Sequence, residues 1–401
     1  MALPRLRPGL DAYPVRLHGQ DLVAVRDPDG VAEQPVLLSP QAFLVALLLD
    51  GRRDVLDVQA EYARRSGGDL LFSWDLQRLV EELDRHGLLE SDGLRARRQA
   101  MEEAFRASPV RPAFHAGTAY PADPDTLRQR LAEYVRAASP EELADLRPRG
   151  IVAPHIDLGR GGWCYGWAYA ALARRLPTTC LLLGVAHGAP PVPIVLTCKP
   201  FVTPLGTVQV DLETAAALQA RLGDLTVHEI AHRTEHSLEF QVLFLQAIGQ
   251  GRTPMIVPLL VSAFERWVAP GESPRRVEAV ERVVQVLREV VAARAEDIAI
   301  VAGVDFSHVG PRFGDQEPVS PALAARTSAY DRDVLEAIVA GDAEAFWRRV
   351  TAGGNPQRID ALSAVYLALR LLEPVRGQLL RYGTAEDPAG GIVSFASLAL
   401  V

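Results

Sequence analysis

The sequence predicts an α/β fold for most of the chain, with a mainly parallel sheet that carries helices on both faces. From residue 150 onward, short apolar runs typical of buried strands alternate with longer stretches of helical periodicity. Such alternation favours parallel strands joined by helices. The first hundred residues instead show a hairpin followed by three helices, which predicts a small winged-helix-like α+β domain. We therefore divide the chain into residues 1–107 and residues 108–401.

Composition indicates a folded protein with a large core and no attraction for polyanions. Of the 401 residues, 48% are hydrophobic, and 42 basic against 50 acidic side chains give a formal net charge of −8. We therefore expect neither nucleic acid nor a membrane surface as a partner. The first residues lack the apolar core of a signal peptide, so we expect a cytoplasmic protein. Three cysteines without CxxC spacing indicate neither a disulfide framework nor a zinc knuckle.

In the first domain, residues 15–26 alternate in polarity around a polar turn, as a hairpin does. Ser39 and Pro40 then offer an N-cap and a first-turn proline for a helix. Apolar residues at helical spacing predict three helices, over residues 43–51, 55–65 and 74–86. Residues 87–91 would follow as a wing or a turn. A charged helix and the Pro-containing stretch 108–112 then lead into the second domain.

In the second domain, apolar runs predict strands and 3.6-residue periodicity predicts helices. The strands are expected near residues 150–155, 180–187, 200–211, 254–262, 298–305, 378–382 and 391–397. The helices are expected over about residues 124–138, 163–175, 212–222, 275–294, 320–341, 343–351 and 359–373, with one more that opens at residues 235–239. Glycines after residue 157 would let the backbone approach a ligand closely. They form no GxGxxG pattern, so no nucleotide cofactor is indicated.

Three of the predicted strands end in ionisable residues. The first two stop at His155 and His187, and the third stops at Asp305, with His308 just beyond it. Because ligands collect at the carboxyl ends of strands in open α/β sheets, we expect these side chains to share one crevice. The alternatives are a hydrogen-bonded core position for each histidine and a helix N-cap for Asp305.

Five other histidines give no comparable signal. His228 and His232 lie four residues apart, but no HExxH motif surrounds them, which favours solvated surface positions for both. His18, His86 and His115 carry no signal beyond composition.

Seven blocks in the second domain occur in this order: HAGTAYPADPDTL, IVAPHIDLGRGG, LLLGVAHG, TPLGTVQVD, EHSLEFQVLFLQ, PLLVS and VDFSHVGPRFGD. In content and order they resemble the Memo family, known in prokaryotes as AmmeMemoRadiSam system protein B, from about Phe114 to the last residue. The resemblance implies a fold similar to that of the class III extradiol dioxygenases, which are non-haem iron enzymes. It also implies iron or copper binding, and an association with a radical SAM protein and an AMMECR-like protein.

The resemblance assigns roles by position. His155 and His187 match the two metal-ligand histidines of the family. Asp305 and His308 match the pocket aspartate and the histidine that resembles the dioxygenase acid/base. Glu235 and His236 match the pocket-lining Glu-His-Ser block of the family. We expect Asp157 and Arg358 to line the same pocket.

The third metal ligand departs from the family pattern. Memo proteins carry a cysteine in a Cys-Gly-x-x-Pro stretch, where this chain has residues 355–360 and no cysteine. Asp360 is the nearest acidic replacement, and a loop shifted by two positions would let it complete a site of two histidines and one carboxylate. If Arg358 points inward instead, the pocket would suit an anion, since guanidinium repels a metal ion.

In the first domain, the stretches LSPQAFLVALLLDGRRDVLDV and LVEELDRHGLLES resemble PqqD-like peptide-recognition domains. That resemblance implies a module that could hold a peptide.

Two functional hypotheses follow for the whole chain. The first is a metal-linked, dioxygenase-like oxidoreductase or redox partner of a radical SAM protein, in which His308 moves a proton and Asp305 orients it. The second is a non-catalytic binding or scaffold protein with a degenerate metal site, which the missing cysteine favours.

Overall fold

The computed structural model describes residues 2–27, 30–32, 35–138, 141–249, 251–294, 296–387 and 389–401. The chain divides into two units, Met1–Ser108 and Pro109–Val401. Among the residues described, no helix is both long and apolar enough to cross a membrane.

The first unit begins with an antiparallel sheet in the order β1-β2-β3, followed by helices. Its elements are β1 (Asp11–Leu17), β2 (Gln20–Arg26), β3 (Val36–Leu38), α1 (Pro40–Leu48), α2 (Val55–Ser66), α3 (Ser73–Arg85) and α4 (Asp92–Ala107). Ser39 caps α1 by accepting a hydrogen bond from the backbone N–H of Ala42 at 3.1 Å, as predicted. The segment after α3, expected as a wing or a turn, forms a bridge between Leu89 and Leu6.

The second unit alternates strands and helices around one large sheet. Its helices are α5 (Pro124–Arg136), α6 (Leu158–Leu172), α7 (Leu212–Leu222), α8 (His236–Ile248), α9 (Glu278–Ala293), α10 (Pro321–Ala340), α11 (Ala343–Thr351) and α12 (Leu362–Leu372). Its strands are β4 (Gly150–Ala153), β5 (Thr179–Val185), β6 (Ile194–Leu196), β7 (Phe201–Thr203), β8 (Gly206–Val208), β9 (Met255–Val261), β10 (Ile298–Gly303), β11 (His308–Val309), β12 (Gly377–Asp387) and β13 (Gly391–Leu400). Strands β7 and β8 form a separate hairpin.

The large sheet is mixed rather than mainly parallel. Its order is β11-β13-β4-β10-β5-β9-β6, and β12 also pairs with β13. The four central strands, β4, β10, β5 and β9, are parallel. The pairings of β6, β11, β12 and β13 are antiparallel, so the predicted parallel arrangement holds only for the centre of the sheet. Central parallel strands are covered on both faces, which explains their unbroken apolar runs.

The register of the central strands aligns their carboxyl ends. Gly303 of β10 lies beside Ala153 of β4 on one side and beside Gly184 of β5 on the other. Each of these three strands ends at or next to the residue named. The topology therefore delivers the next ionisable residues to one edge of the sheet: His155, Asp305 and His187.

Helices cover both faces of this sheet. A Cβ on Gly303 would meet Gln241 of α8, whereas a Cβ on Gly150 would meet Leu372 of α12. Gly150 lies beside Ile300 of β10, and Ile300 precedes Gly303 on the same strand by an odd number of positions, so the two point to opposite faces. Since side chains alternate between the two faces along a strand, α8 and α12 lie on opposite faces.

The glycines that follow the first central strand serve helix packing. Helix α6 begins earlier than predicted because Asp157 caps its first turn, which places these glycines inside the helix rather than in a loop. A Cβ on Gly162 would lie 2.3 Å from the ring of Tyr134, and one on Gly166 would lie 2.1 Å from the Tyr134 carbonyl oxygen. Helix α5 therefore packs directly on the backbone of α6, a contact that any larger residue would prevent.

Candidate metal centre

Three imidazoles surround one carboxylate oxygen at the carboxyl edge of the sheet. Oδ2 of Asp360 lies 3.1 Å from Nε2 of His155 and 3.8 Å from Nε2 of both His187 and His308. Asp360 precedes α12, while the histidines follow β4, β5 and β10. Four segments that are distant in sequence thus bring their polar side chains to one point.

Hydrogen bonds fix the His155 ring with Nε2 towards Asp360. Its Nδ1 lies 3.2 Å from the carbonyl oxygen of Gly303, which can only accept, so Nδ1 carries the proton. The backbone N–H of His155 donates to Oδ1 of Asp305 at 3.0 Å. Burial lowers the pKa of His155, but the carboxylates of Asp360 and Asp305 outweigh burial and raise this pKa to about 9. The carboxylates therefore favour a positive charge at this ring, which a proton or a metal ion can supply.

Glu235 holds the second strand-end histidine. Its carboxylate accepts hydrogen bonds from the backbone N–H of His187 at 3.1 Å and from the ring Nδ1 at 3.0 Å. The same carboxylate caps α8, where it accepts from the N–H of Ser237 at 3.0 Å. Burial opposes both charges, yet the pairing holds the pKa of Glu235 well below its usual range and that of His187 well above its own. A histidine whose Nδ1 donates to a carboxylate is oriented to bind a metal through Nε2.

His236, the first residue of α8, lies beside these two histidines. Ligand atoms of His155, His187 and His236 all lie within 4.8 Å of one another, a spacing that could hold a metal ion. The rings of His187 and His236 are stacked, with centroids 4.8 Å apart and planes 21° apart. The lone pair of an imidazole nitrogen lies in the plane of its ring, so the lone pairs of two stacked rings do not point at the same ion. One of the two rings would have to rotate before both could bind it. The planes of His155 and His187 differ by 66°, which imposes no such turn.

The loop that carries Asp360 is tied to the end of β10. Oδ1 of Asp360 accepts from the backbone N–H of Asp305 at 3.1 Å, and the N–H of Ala361 donates to the Asp305 carbonyl at 3.2 Å. Burial raises the pKa of Asp360, but the surrounding histidines hold it well below its usual range. In the same loop, Asn355 and Arg358 adopt left-handed backbone conformations, with φ of 57° and 51°. The carboxylate is thus ionised and sits on an irregular segment.

Asp305 was expected to orient His308, but its side chain contacts His155. Besides the bond to the His155 backbone, its Oδ2 lies 3.6 Å from Nε2 of that ring. Burial raises the pKa of Asp305 in spite of the histidines beside it. His308 is oriented by the backbone instead, since its Nδ1 lies 2.9 Å from the carbonyl of Phe306 and 3.2 Å from that of Arg358. Its Nε2 is thereby left facing Asp360.

Two residues that the sequence placed in the pocket are engaged elsewhere. The guanidinium of Arg358 pairs with Asp315, and its Nε donates to the carbonyl of His308 at 2.9 Å. Asp157 caps α6 and forms an ion pair with Arg160. The histidines therefore face the carboxylate of Asp360 rather than a guanidinium. Of the two side chains considered for this place, the structure has Asp360 beside the histidines and Arg358 paired with Asp315.

Two further histidines, one half-buried and one buried, were not predicted as such from the sequence. The ring centroid of His115 lies 5.8 Å from that of His236, and its Nε2 donates to the Thr234 carbonyl at 2.8 Å. His232 was expected at the surface, which was wrong: it is 1% exposed and donates to the Val195 carbonyl at 3.0 Å. Burial lowers the pKa of His232 to about 3. Their positions in the sequence could have indicated a place near the pocket, because His115 begins one block of the family resemblance and His232 lies just before another.

The second unit is thus an α/β protein whose sheet edge carries a cluster of histidines, three of which could hold a metal ion. Residues 111–399 match the family model described as Memo-like protein, and the chain belongs to this family. The resemblance seen in the sequence blocks is thereby confirmed.

Curated relatives extend this similarity. A MEMO1 family protein of Aquifex aeolicus is 29% identical over 398 residues, which cover 98% of this chain and 99% of the relative. A MEMO1 family protein of Thermus thermophilus is 34% identical over 334 residues, which cover 82% of this chain and 93% of the relative. A MEMO1 family protein of Methanopyrus kandleri is 29% identical over 296 residues, which cover 71% of this chain and 96% of the relative. The similarity to the Aquifex protein therefore includes the first unit as well as the second.

Proposed function

We propose that the second unit binds a ferrous ion through His155, His187 and Asp360 and acts as a metal-linked oxidoreductase. The observation that carries this proposal is the position of the Asp360 carboxylate among the Nε2 atoms of the histidines. Two imidazoles and one carboxylate, with positions left open, form the donor set of non-haem Fe(II) oxygenases. Copper is the alternative ion, since imidazole also suits copper.

The donor set fits a divalent cation in charge and in orientation. Nδ1 of both ligand histidines donates to an oxygen atom, which leaves each Nε2 for the ion. Asp360 supplies an anion where the family pattern has a thiolate. Arg358, which would repel a cation, is paired with Asp315.

The residues around the ligands have separable tasks. A bound iron ion would supply a redox-active centre with open positions for small molecules. His308 would hold or move a proton at Nε2, because its Nδ1 is occupied by backbone carbonyls. Asp305 joins the His155 backbone to the loop of Asp360 and keeps the two in register. Glu235 orients the ring of His187.

Metal analysis of protein purified without oxygen is the first test, and we expect about one ion for each chain, held by one such donor set. In anaerobic Fe(II) titrations, Asp360→Ala should weaken binding by roughly 100-fold or more, because only neutral imidazoles remain. His236→Gln is the matched variant and should bind nearly as tightly as the wild type. Retained iron in Asp360→Ala, with loss in His236→Gln, would replace this donor set by a three-histidine site.

The alternative function is a non-catalytic binding or scaffold protein with a degenerate metal site. The absent family cysteine favours it, and the ion pair between His155 and Asp360 would then be structural. A chain that binds neither Fe(II) nor copper under anaerobic conditions would support this alternative over the oxidoreductase.

The partners implied by the family resemblance are also part of the proposal. We infer that a radical SAM protein and an AMMECR-like protein associate with this chain. Co-purification of the three proteins expressed together, with one tagged, tests the association, and separate elution at micromolar concentration would count against it.

A further inference from the structure

We propose that Arg111 is a positioning residue for the metal centre: it holds the turn that carries Glu235, and through Glu235 it sets the ring of His187. The inference rests on the proposed metal site, because its consequence is a change in metal affinity. Arg111 itself belongs to no donor set and lies in the segment before α5.

The Arg111 side chain is fully buried, and each nitrogen of its guanidinium has an acceptor. Nε donates to the carbonyl of His232 at 3.0 Å, and Nη2 donates to the carbonyl of Glu235 at 2.9 Å. Nη1 donates to the carbonyl of Pro112 at 3.0 Å and pairs with the carboxylate of Glu239. A planar guanidinium held by four acceptors has little freedom to move, so it works as a fixed template.

Glu239 anchors the same network from the first turn of α8. Its carboxylate accepts from the backbone N–H groups of Phe114 at 3.1 Å and His115 at 3.0 Å, and from the hydroxyl of Tyr120. Both members of the Arg111–Glu239 pair are 0% exposed. Charges this deeply buried are tolerated only when their hydrogen bonds are satisfied, as they are in this pair. The segment before α5 is therefore locked to the start of α8.

The two carbonyl contacts carry the effect to the metal centre. The carbonyls of His232 and Glu235 lie at either end of the turn that leads into α8, so Arg111 fixes both ends of that turn. The side chain of Glu235 in turn binds both the backbone N–H and the Nδ1 of His187. Because the partner of Nδ1 determines where Nε2 points, a displaced turn weakens metal binding without removing a ligand.

A role in folding alone is separable from this role in positioning. Arg111→Lys keeps a positive charge beside Glu239, so the buried carboxylate stays paired. A lysine ammonium cannot reach both carbonyls in the geometry of the guanidinium. If Arg111 only stabilises the fold, this variant should lose stability and bind metal as the wild type does.

The test compares Arg111→Lys with Arg294→Gln in the full chain. Arg294 also pairs with a buried carboxylate, that of Asp211, but at the junction of α7 and α9 rather than at the site. The measurements are the Kd for Co(II), the absorption spectrum of bound Co(II) and the Tm. We expect Arg111→Lys to weaken Co(II) binding roughly 10-fold or more and to alter the spectrum. Arg294→Gln should lower the Tm with the Kd unchanged.

Each result bears on one claim. Wild-type affinity and spectrum in folded Arg111→Lys would overturn the inference and leave the metal site standing. A wild-type chain that binds no Co(II) would overturn the proposed function, and the inference with it. If Arg111→Lys does not fold, Tyr120→Phe removes one hydrogen bond from Glu239 and takes its place in the comparison. A several-fold weaker Kd in Tyr120→Phe then supports the inference, and an unchanged Kd contradicts it.

Discussion

The candidate metal centre has two halves that are built differently. In the strand-end half, His155 and His187 leave the central strands and are held by buried partners, with Glu235 only 5% exposed. In the loop half, Asp360 follows a segment in which Asn355 and Arg358 have left-handed backbones. The strand-end half is therefore anchored to the sheet, and the loop half rests on an irregular backbone.

This difference has a physical reason. The position of a residue at the end of a central strand is fixed by the register of that strand. A shift of register would break the pairing with both neighbouring strands and rearrange the core. A loop can change its path when glycines supply unusual backbone angles, and Gly353 and Gly354 both have positive φ before Asn355. In the proposed site, the carboxylate of the loop half is therefore less strictly positioned than the imidazoles at the strand ends.

Acid should destabilise the folded chain through His232, which lies on the turn before α8, and this is the largest effect we expect. His232 is almost fully buried, and burial lowers its pKa to about 3. In the unfolded chain the pKa of histidine is about 6.5. Because the folded chain takes up this proton less readily, stability is fully present above about pH 6.5 and falls as the pH drops towards 3. The loss from this group reaches roughly 5 kcal/mol at about 1.4 kcal/mol per pKa unit.

The variant His232→Gln isolates that effect, since glutamine does not titrate but can still donate to the Val195 carbonyl. Urea unfolding at pH 7 and pH 5 gives the free energy of unfolding of both chains. The wild type should lose roughly 2 kcal/mol more than the variant between these two pH values. Equal losses in the two chains would show that the acid sensitivity arises at other groups.

The next effect separates the orientation of His187 from the presence of the ligand. In Glu235→Gln, one acceptor oxygen replaces the two that serve the backbone N–H and the Nδ1 of His187. We expect the Kd for Co(II) to rise by roughly 10- to 100-fold, as for other partners of ligand histidines. The control is Glu229→Gln, whose carboxylate pairs with Lys199 and not with a histidine of the site. A Kd equal to the wild-type value in Glu235→Gln would mean that His187 is held without this carboxylate.

The same contrast explains what the sequence could predict of the fold. Central strands are covered on both faces, so their apolar runs mark them and their carboxyl ends locate the histidines. The antiparallel edges could not be read in this way. Strand β13 is buried along its whole length and reads like a central strand, yet it pairs antiparallel with β4. The direction of pairing depends on a partner far away in sequence, and no local pattern contains it.

Side-chain roles outside the strand ends were less predictable. Asp157 was predicted to line the pocket, but its position after a strand also suits a helix cap, and α6 uses it so. The direction of the Arg358 side chain depends on its left-handed backbone conformation, which the periodicity of the sequence does not predict. His232 lies on a short 3₁₀ turn, which is too short for a pattern that would reveal its buried side. The shifted-loop alternative for Asp360 was available only because charge required an anion near two imidazoles.

The smallest effect tests whether the backbone of the loop half sets the position of Asp360. The side chain of Asn355 accepts from the N–H of Ile359 at 2.8 Å and donates to its carbonyl at 3.0 Å, while its own φ is 57°. Asn355→Ala loses both hydrogen bonds and places a Cβ-bearing residue without local hydrogen bonding in the left-handed region. Asn355→Gly loses the same bonds without that strain.

We therefore expect Asn355→Ala to be less stable than Asn355→Gly by about 1 kcal/mol, measured by urea unfolding at pH 7. Both variants should weaken Co(II) binding by only a few-fold, because the ligands remain and the loop that presents Asp360 becomes looser. A glycine variant less stable than the alanine variant would show that the left-handed backbone is not what constrains this loop. Affinity loss as large as that of Glu235→Gln would erase the distinction between the halves, because the loop would then orient the ligands as strictly as the strand ends do.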